Sequence, residues 1–170
     1  MDRTEGEAPM RLIGGLLLAG LIAGSAAAAT PPTVAVFPLE LYDTSGEGPS
    51  PDQERRLHML DAELLARLAE SARYAPVAAQ LPEGAPGIRN CNRCDVKAAA
   101  RLGAPLALSG VVHKISSLIL TLTLVLREVP SGETRHVWRA DFRGNTDESW
   151  QHALNWMLRH RVLAAPEHVP

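Results

Sequence analysis

Aromatic residues are scarce in this chain: three Trp, two Tyr and two Phe among 170 residues. So few rings leave little material for a platform that stacks bases or sugars. A surplus of one charge is missing too. The 17 basic and 19 acidic residues leave a formal net charge of −2, which gives no electrostatic case for a nucleic acid or an anionic membrane as partner. The longest apolar run, Leu12 to Gly24, is about a dozen residues, too short to cross ~30 Å of hydrocarbon as a helix. Gly-x-Ser-x-Gly, the P-loop, Gly-x-Gly-x-x-Gly and His-Glu-x-x-His do not occur, so nothing in the sequence identifies an enzyme. Neither a cofactor nor a metal site is expected.

What is there begins with an address. Arg11 is followed by the apolar run, and then by Ser25-Ala26-Ala27-Ala28-Ala29, which offers Ala-x-Ala cleavage points. These are the three parts of a secretory signal peptide, expected to occupy residues 1–29. Residues 30–170 then form a single exported, periplasmic domain, of a size that suits one core. No Cys stands at the end of the apolar run, so no lipid anchor is expected there, and the shortness of the run argues against a stable membrane anchor after cleavage. Met1 to Pro9 is polar and acidic for a signal start, and Met10-Arg11 reads as the better one.

Thr33 to Leu39 is a short β-branched run that reads as a buried strand. Glu40 to Pro51 reads as loop, with turn residues throughout Asp43 to Pro49. Leu57, Leu60, Leu64, Leu65 and Leu68 recur at three- and four-residue spacing, one apolar stripe on a helix from Asp52 to Ala72. A short strand over Tyr74 to Ala78 follows, then an irregular stretch to Asn92. A short helix from Asp95 to Leu102 is closed by Gly103. Pro105 to Ile115, Leu118 to Glu128 and Arg135 to Arg143 read as a three-strand meander. In the second of these strands, Leu at 118, 120, 122, 124 and 126 faces one way and a mixed set faces the other. Asn145, with Glu148 three residues on, reads as the capped start of a helix from Asp147 to Leu163 that buries Trp150. The expected fold is α/β (α+β): a mixed sheet of about five strands, its first pair parallel with a right-handed crossover, its C-terminal meander antiparallel, and two long helices packed on it.

Three segments are candidate sites. Cys91 and Cys94 are the only cysteines. In an oxidising compartment a disulfide is the default, with redox or metal-handling roles as alternatives; Asp95, not His, follows Cys94, which excludes c-type haem attachment. Asp43, Thr44, Ser45 and Glu47 follow the first strand, where α/β folds bind ligands. With Glu40 they offer oxygen ligands to a cation, although the spacing is not that of an EF-hand, and the simpler reading is a polar loop that bonds its own backbone. Asp147, Glu148 and Trp156 are a candidate partner surface, because Trp156 lies off the apolar stripe and exposed Trp anchors interfaces.

The element order resembles the N-terminal domain of TolB and its exported relatives. The resemblance rests on Val34 to Pro38 (VAVFP), the leucine-striped helix, and Ala99 to Gly110 in the pattern Ala-x2-Leu-Gly-Ala-x-Leu-x-Leu-x-Gly. More specific phrases are Phe37 to Gly46 (FPLELYDTSG), Cys91 to Cys94, and Arg143 to Trp150 (RGNTDESW). They resemble an uncharacterised proteobacterial family of small exported proteins, domain of unknown function 3280. That resemblance implies a non-catalytic accessory role beside periplasmic quinoprotein alcohol dehydrogenases or their assembly factors. The other reading is a thiol–disulfide or metal-handling protein built on Cys91 and Cys94.

Overall fold

The computed structural model describes residues 30–164. The expected signal peptide and both candidate start methionines lie outside the described residues, as does the C-terminal hexapeptide. In chain order the elements are β1 (Thr33–Val36), β2 (Glu40–Asp43), α1 (Pro51–Glu70), β3 (Ala75–Ala78), α2 (Cys94–Arg101), β4 (Leu106–Lys114), β5 (Ile119–Glu128), β6 (Thr134–Arg143) and α3 (Asp147–Met157), the last extended by one π turn over Leu158–Val162. The strands form one mixed sheet in the order β3-β1-β4-β5-β6, with β2 also on β4. β1 runs parallel to β3 and β4, and the β4-β5-β6 meander is antiparallel. The expected architecture is present with one strand more.

That extra strand corrects the expectation of loop from Glu40 onward. Val36 pairs with Leu108, and Glu40 pairs with Val111. Four steps along one strand thus match three along the other, the signature of a bulge. Pro38 causes it, since it has no N–H for the ladder. The Leu39 N–H leaves the sheet as well and donates to Asp61 Oδ1 of α1 at 2.8 Å. Beyond the bulge the chain rejoins β4 with its alternation shifted by one residue. Leu39 and Leu41 therefore join the helix-covered core, while Glu40 turns to the other face.

On the helix-covered face, α1 contributes Leu60, Leu64 and Leu68, and α3 with its π turn contributes Trp150, Leu154, Met157, Leu158 and Val162. They pack on Leu120, Leu122, Leu124 and Leu126 of β5, each no more than 2% exposed. Leu118, read as the first of that series, precedes the strand and is 66% exposed. Burying so many Leu side chains, at roughly 2 kcal/mol each, is the main force behind this layer.

α3 starts at Asp147 as expected, but its cap lies one residue later than Asn145. Thr146 is the N-cap, and a reciprocal box joins it to Ser149. Asn145 instead accepts from Trp150 Nε1 at 3.0 Å and Arg56 Nη1 at 3.2 Å. It fixes the buried indole rather than the helix end, and Glu148 has no part in the box.

The opposite face is covered only in part. α2 lies on it through Ala98 and Ala99 against Ala35, Phe37, Ala79, Ala104 and Ala107, a contact made mostly of alanines around one buried Phe. Gly103, at φ +68°, ends that helix in the left-handed conformation that glycine adopts freely. Further along, no helix among the described residues covers β5 and β6 on this side, and Val137 is 58% exposed.

Candidate functional site

Between α2, the 88–93 segment and the bare part of the sheet lies a cleft of about 420 Å³. Its floor is Ser109 and Val111 of β4 with Thr123 and Val125 of β5. Arg127 continues that alternation to the end of β5. Its Nη1 donates to Asp95 Oδ2 at 2.9 Å and lies 3.4 Å from Ser109 Oγ, which bonds the same carboxylate oxygen. Asp95 stands in the first turn of α2, where the helix dipole favours an anion. Its side chain is 2% exposed against 27% for Arg127, so the arginine carries the network from the interior to the cleft.

The rim is a segment with one 3-10 turn, Ile88–Asn90, held by three ties. Glu40, turned inward by the bulge, accepts from the Ile88 and Arg89 amides. Its carboxylate fills the space beside Gly87, where an added Cβ would lie 2.6 Å from Oε1 and would push the carboxylate aside. Cys91 and Cys94 are bonded to each other, Cα to Cα 5.7 Å, and close the segment onto α2. Arg93 has left-handed backbone at φ 58°, and its Nη1 donates to the Ser131 carbonyl at 2.9 Å across the cleft mouth. Arg89 lies over the Tyr42 ring at 4.0 Å, and Tyr42 stacks on His113 at 4.6 Å.

The acidic loop after β2 stands apart from this cleft. Asp43 Oδ1 accepts from the Ser45 amide at 2.8 Å and Ser45 Oγ at 2.6 Å, while Thr44 Oγ1 meets His113 Nε2 at 2.9 Å. Where a cation was considered, the Lys114 ammonium stands, 3.1 Å from Asp43 Oδ2 and 2.7 Å from Glu47 Oε2. The bonds from Ser45, joined by Lys114, hold the Asp43 carboxyl at about 2 despite partial burial. Burial pushes the Lys114 ammonium down, but its bonds to Glu47 and Asp43 more than reverse this and leave it raised. Among the described residues no group of three or more His, Cys, Asp or Glu is placed to hold a metal ion.

The third candidate surface divides. Asp147 is tied to α1, accepting from Arg55 Nη1 at 2.5 Å and Arg56 Nε at 2.8 Å; these bonds hold its carboxyl at about 2. Glu148 is exposed beside it. Trp156 is half-buried against the core, with His160 and Arg161 on its rings. Sequence reasoning missed Asp95, Ser109, Arg127 and Lys114. The available signal was positional: Arg127 ends the mixed face of β5, and Asp95 stands in the first turn of the helix that Cys94 opens.

Comparison with known proteins places the chain. The model of the family DUF3280, described as "Protein of unknown function (DUF2380)", matches residues 32–162. The chain belongs to this family. Among curated proteins none matches it. Among solved structures, a variant PelC dodecamer from Paraburkholderia phytofirmans is similar at 17% identity and TM-score 0.53, over 82% of this chain and 93% of that one. That likeness is one of fold. The LpoB C-terminal domain from Salmonella enterica matches at 14% identity and TM-score 0.48, over 66% of this chain and 84% of that one. TolB from Acinetobacter baumannii matches at 14% identity and TM-score 0.42, over 76% of this chain and 29% of that one. No helix among the described residues is long and apolar enough to cross a membrane.

Proposed function

We propose that this protein is exported to the periplasm and works there as a non-catalytic accessory module, engaging its partner through the cleft side of the sheet. One observation carries the reading. A segment whose only regular structure is a 3-10 turn over Ile88–Asn90 is fastened over the sheet by the Glu40 clasp, the Cys91–Cys94 bond and the Arg93 strut, all three around one cleft. A loop ordered in advance loses little entropy when a partner docks. The partner implied by the sequence resemblance is a quinoprotein alcohol dehydrogenase or one of its assembly factors.

The test is capture from periplasmic extract of cells grown on an alcohol or on a multicarbon acid, with the wild-type chain and with Thr123→Trp, which fills the cleft from its floor. A dehydrogenase or its cytochrome retained by the wild type under alcohol growth, and lost with the variant, is the expected result. Equal retention by both chains would move the interaction off the cleft, and no stoichiometric partner in either condition would end the accessory reading. A second reading gives Cys91 and Cys94 a thiol–disulfide role. It is favoured by Cys94 opening α2, since a helix N-terminus stabilises a thiolate.

A further inference from the structure

We infer that the cleft is a carboxylate-binding site, with Arg93 and Arg127 as its donors and Arg89 along one wall. The inference rests on the reading of the cleft as the working surface and adds the chemistry that it recognises. Three arginines line the cleft, Arg89, Arg93 and Arg127, against two carboxylates, Glu40 and Asp95. Both carboxylates are already directed into the wall. Glu40 accepts the Ile88 and Arg89 amides, and Asp95 accepts Ser109 and Arg127.

Two of the arginines are held by one edge: Arg93 uses Nη1 on Ser131, and Arg127 uses Nη1 on Asp95 and Ser109. The third, Arg89, lies over the Tyr42 ring. For Arg93 and Arg127, Nε and Nη2 have no acceptor among the described residues. A guanidinium presents five donors in a planar fork that matches a carboxylate, and one anchored in advance gives up little freedom on binding.

The charge balance selects the ligand. Three cations against two anions leave one positive charge on the lining, which suits a monoanion better than a phosphate dianion facing Asp95 at the rear of the site. The floor of Val111, Thr123 and Val125 suits a short apolar stem behind the charged group. Such a carboxylate can come from a free small acid or from the C-terminus of a partner chain, and the two differ in what the rest of the molecule adds.

The experiment is NMR titration of residues 30–170 with sodium butyrate, with neutral butyramide, with inorganic phosphate, and with a short peptide whose C-terminus is free or amidated. Butyrate should shift amides of Arg89, Arg93, Val111 and Thr123, butyramide should not, and phosphate should bind more weakly than butyrate. Arg93→Gln should weaken butyrate about tenfold, the equivalent of one lost charge-assisted bond. Arg93→Lys, which keeps the charge and loses the fork, should weaken it by nearly as much. The exposed Arg101→Gln serves as control and should leave it unchanged. Tighter binding of the free-ended peptide than of butyrate points to a partner's terminus, and the reverse order points to a free acid. Equal response to butyrate and butyramide, stronger binding of phosphate, or shifts outside the cleft would overturn the inference. If Thr123→Trp abolishes capture of a partner while butyrate fails to bind, the carboxylate chemistry is wrong and the docking surface stands. If butyrate binds and no partner is captured, the reverse holds.

Discussion

Replacing Lys114 with methionine removes one charge from a nearly dry position while keeping the stem that fills it. The Lys114 side chain is 1% exposed, against 18% for Asp43 and 49% for Glu47. Removing one member of a fully buried ion pair costs about 3–5 kcal/mol. Here both carboxylates keep access to water, so the cost at neutral pH should be nearer ~2 kcal/mol, read as a lowered urea midpoint with unchanged slope. The pH profile separates the contributions. Asp43 titrates at about 2 in the folded chain against an ordinary 3.8, so its contribution is fully present above pH 4 and is lost as pH falls towards 2. At full value such a shift is about 2.5 kcal/mol, and the loop's solvent access reduces it to ~1 kcal/mol. Lys114 is raised, so its contribution holds at and below its ordinary 10.5 and fades as pH climbs through the folded value. In Lys114→Met the alkaline loss should vanish. The acid loss should shrink but persist, because the Ser45 hydroxyl is the largest influence on Asp43. A neutral-pH cost below about 0.5 kcal/mol, within the range of ordinary surface changes, would refute the reasoning.

Arg127→Met strips the partner from a carboxylate that is 2% exposed and should cost ~3 kcal/mol in urea unfolding, with most of it recovered when Asp95→Asn is added; no recovery in the double variant would mean that the pair is not coupled. Cys91→Ser with Cys94→Ser opens a loop of sequence separation 3, for which chain entropy gives only about 2 kcal/mol. Hydrogen exchange should therefore rise at residues 88–94 well before the core loosens, and a global loss above about 4 kcal/mol would contradict a rim-closing role for this bond.

How much of this was legible in the sequence depended on the kind of signal. The leucine spacing of α1 and the alternation of β5 announced the helix-covered layer, because period alone decides which side chains meet there. Glu40–Asp43 did not read as a strand because its turn-rich neighbours hid a segment of only four residues. What holds it is pairing to β4, a contact distant in sequence. The box at Thr146 and Ser149 was shifted by one residue from the reading because Asn145 had a stronger use on Trp150. The cleft was the least legible part. Its network joins Asp95, Ser109 and Arg127 from a helix and two strands, and spacing along the chain carries no information about such a meeting.

The bulge at Pro38 joins these levels. Had β1 continued without the extra residue, alternation would have sent Glu40 into the leucine layer beneath α1, where an unpaired carboxylate is expensive, and Leu41 into the cleft. One proline without an N–H, and one amide redirected to Asp61 at 2.8 Å, reverse that assignment. The same step gives the core its Leu41 and gives the cleft the carboxylate that clasps residues 88 and 89. Gly87, which leaves room for that carboxylate, then belongs to the same device although it lies 47 residues further along. The cleft is thus built from the fold's own irregularities: a proline that breaks a ladder, a glycine that admits a carboxylate, and a left-handed Arg93 between two cysteines. None of the three belongs to the leucine layer beneath the helices, and each bears on a residue that lines the cleft.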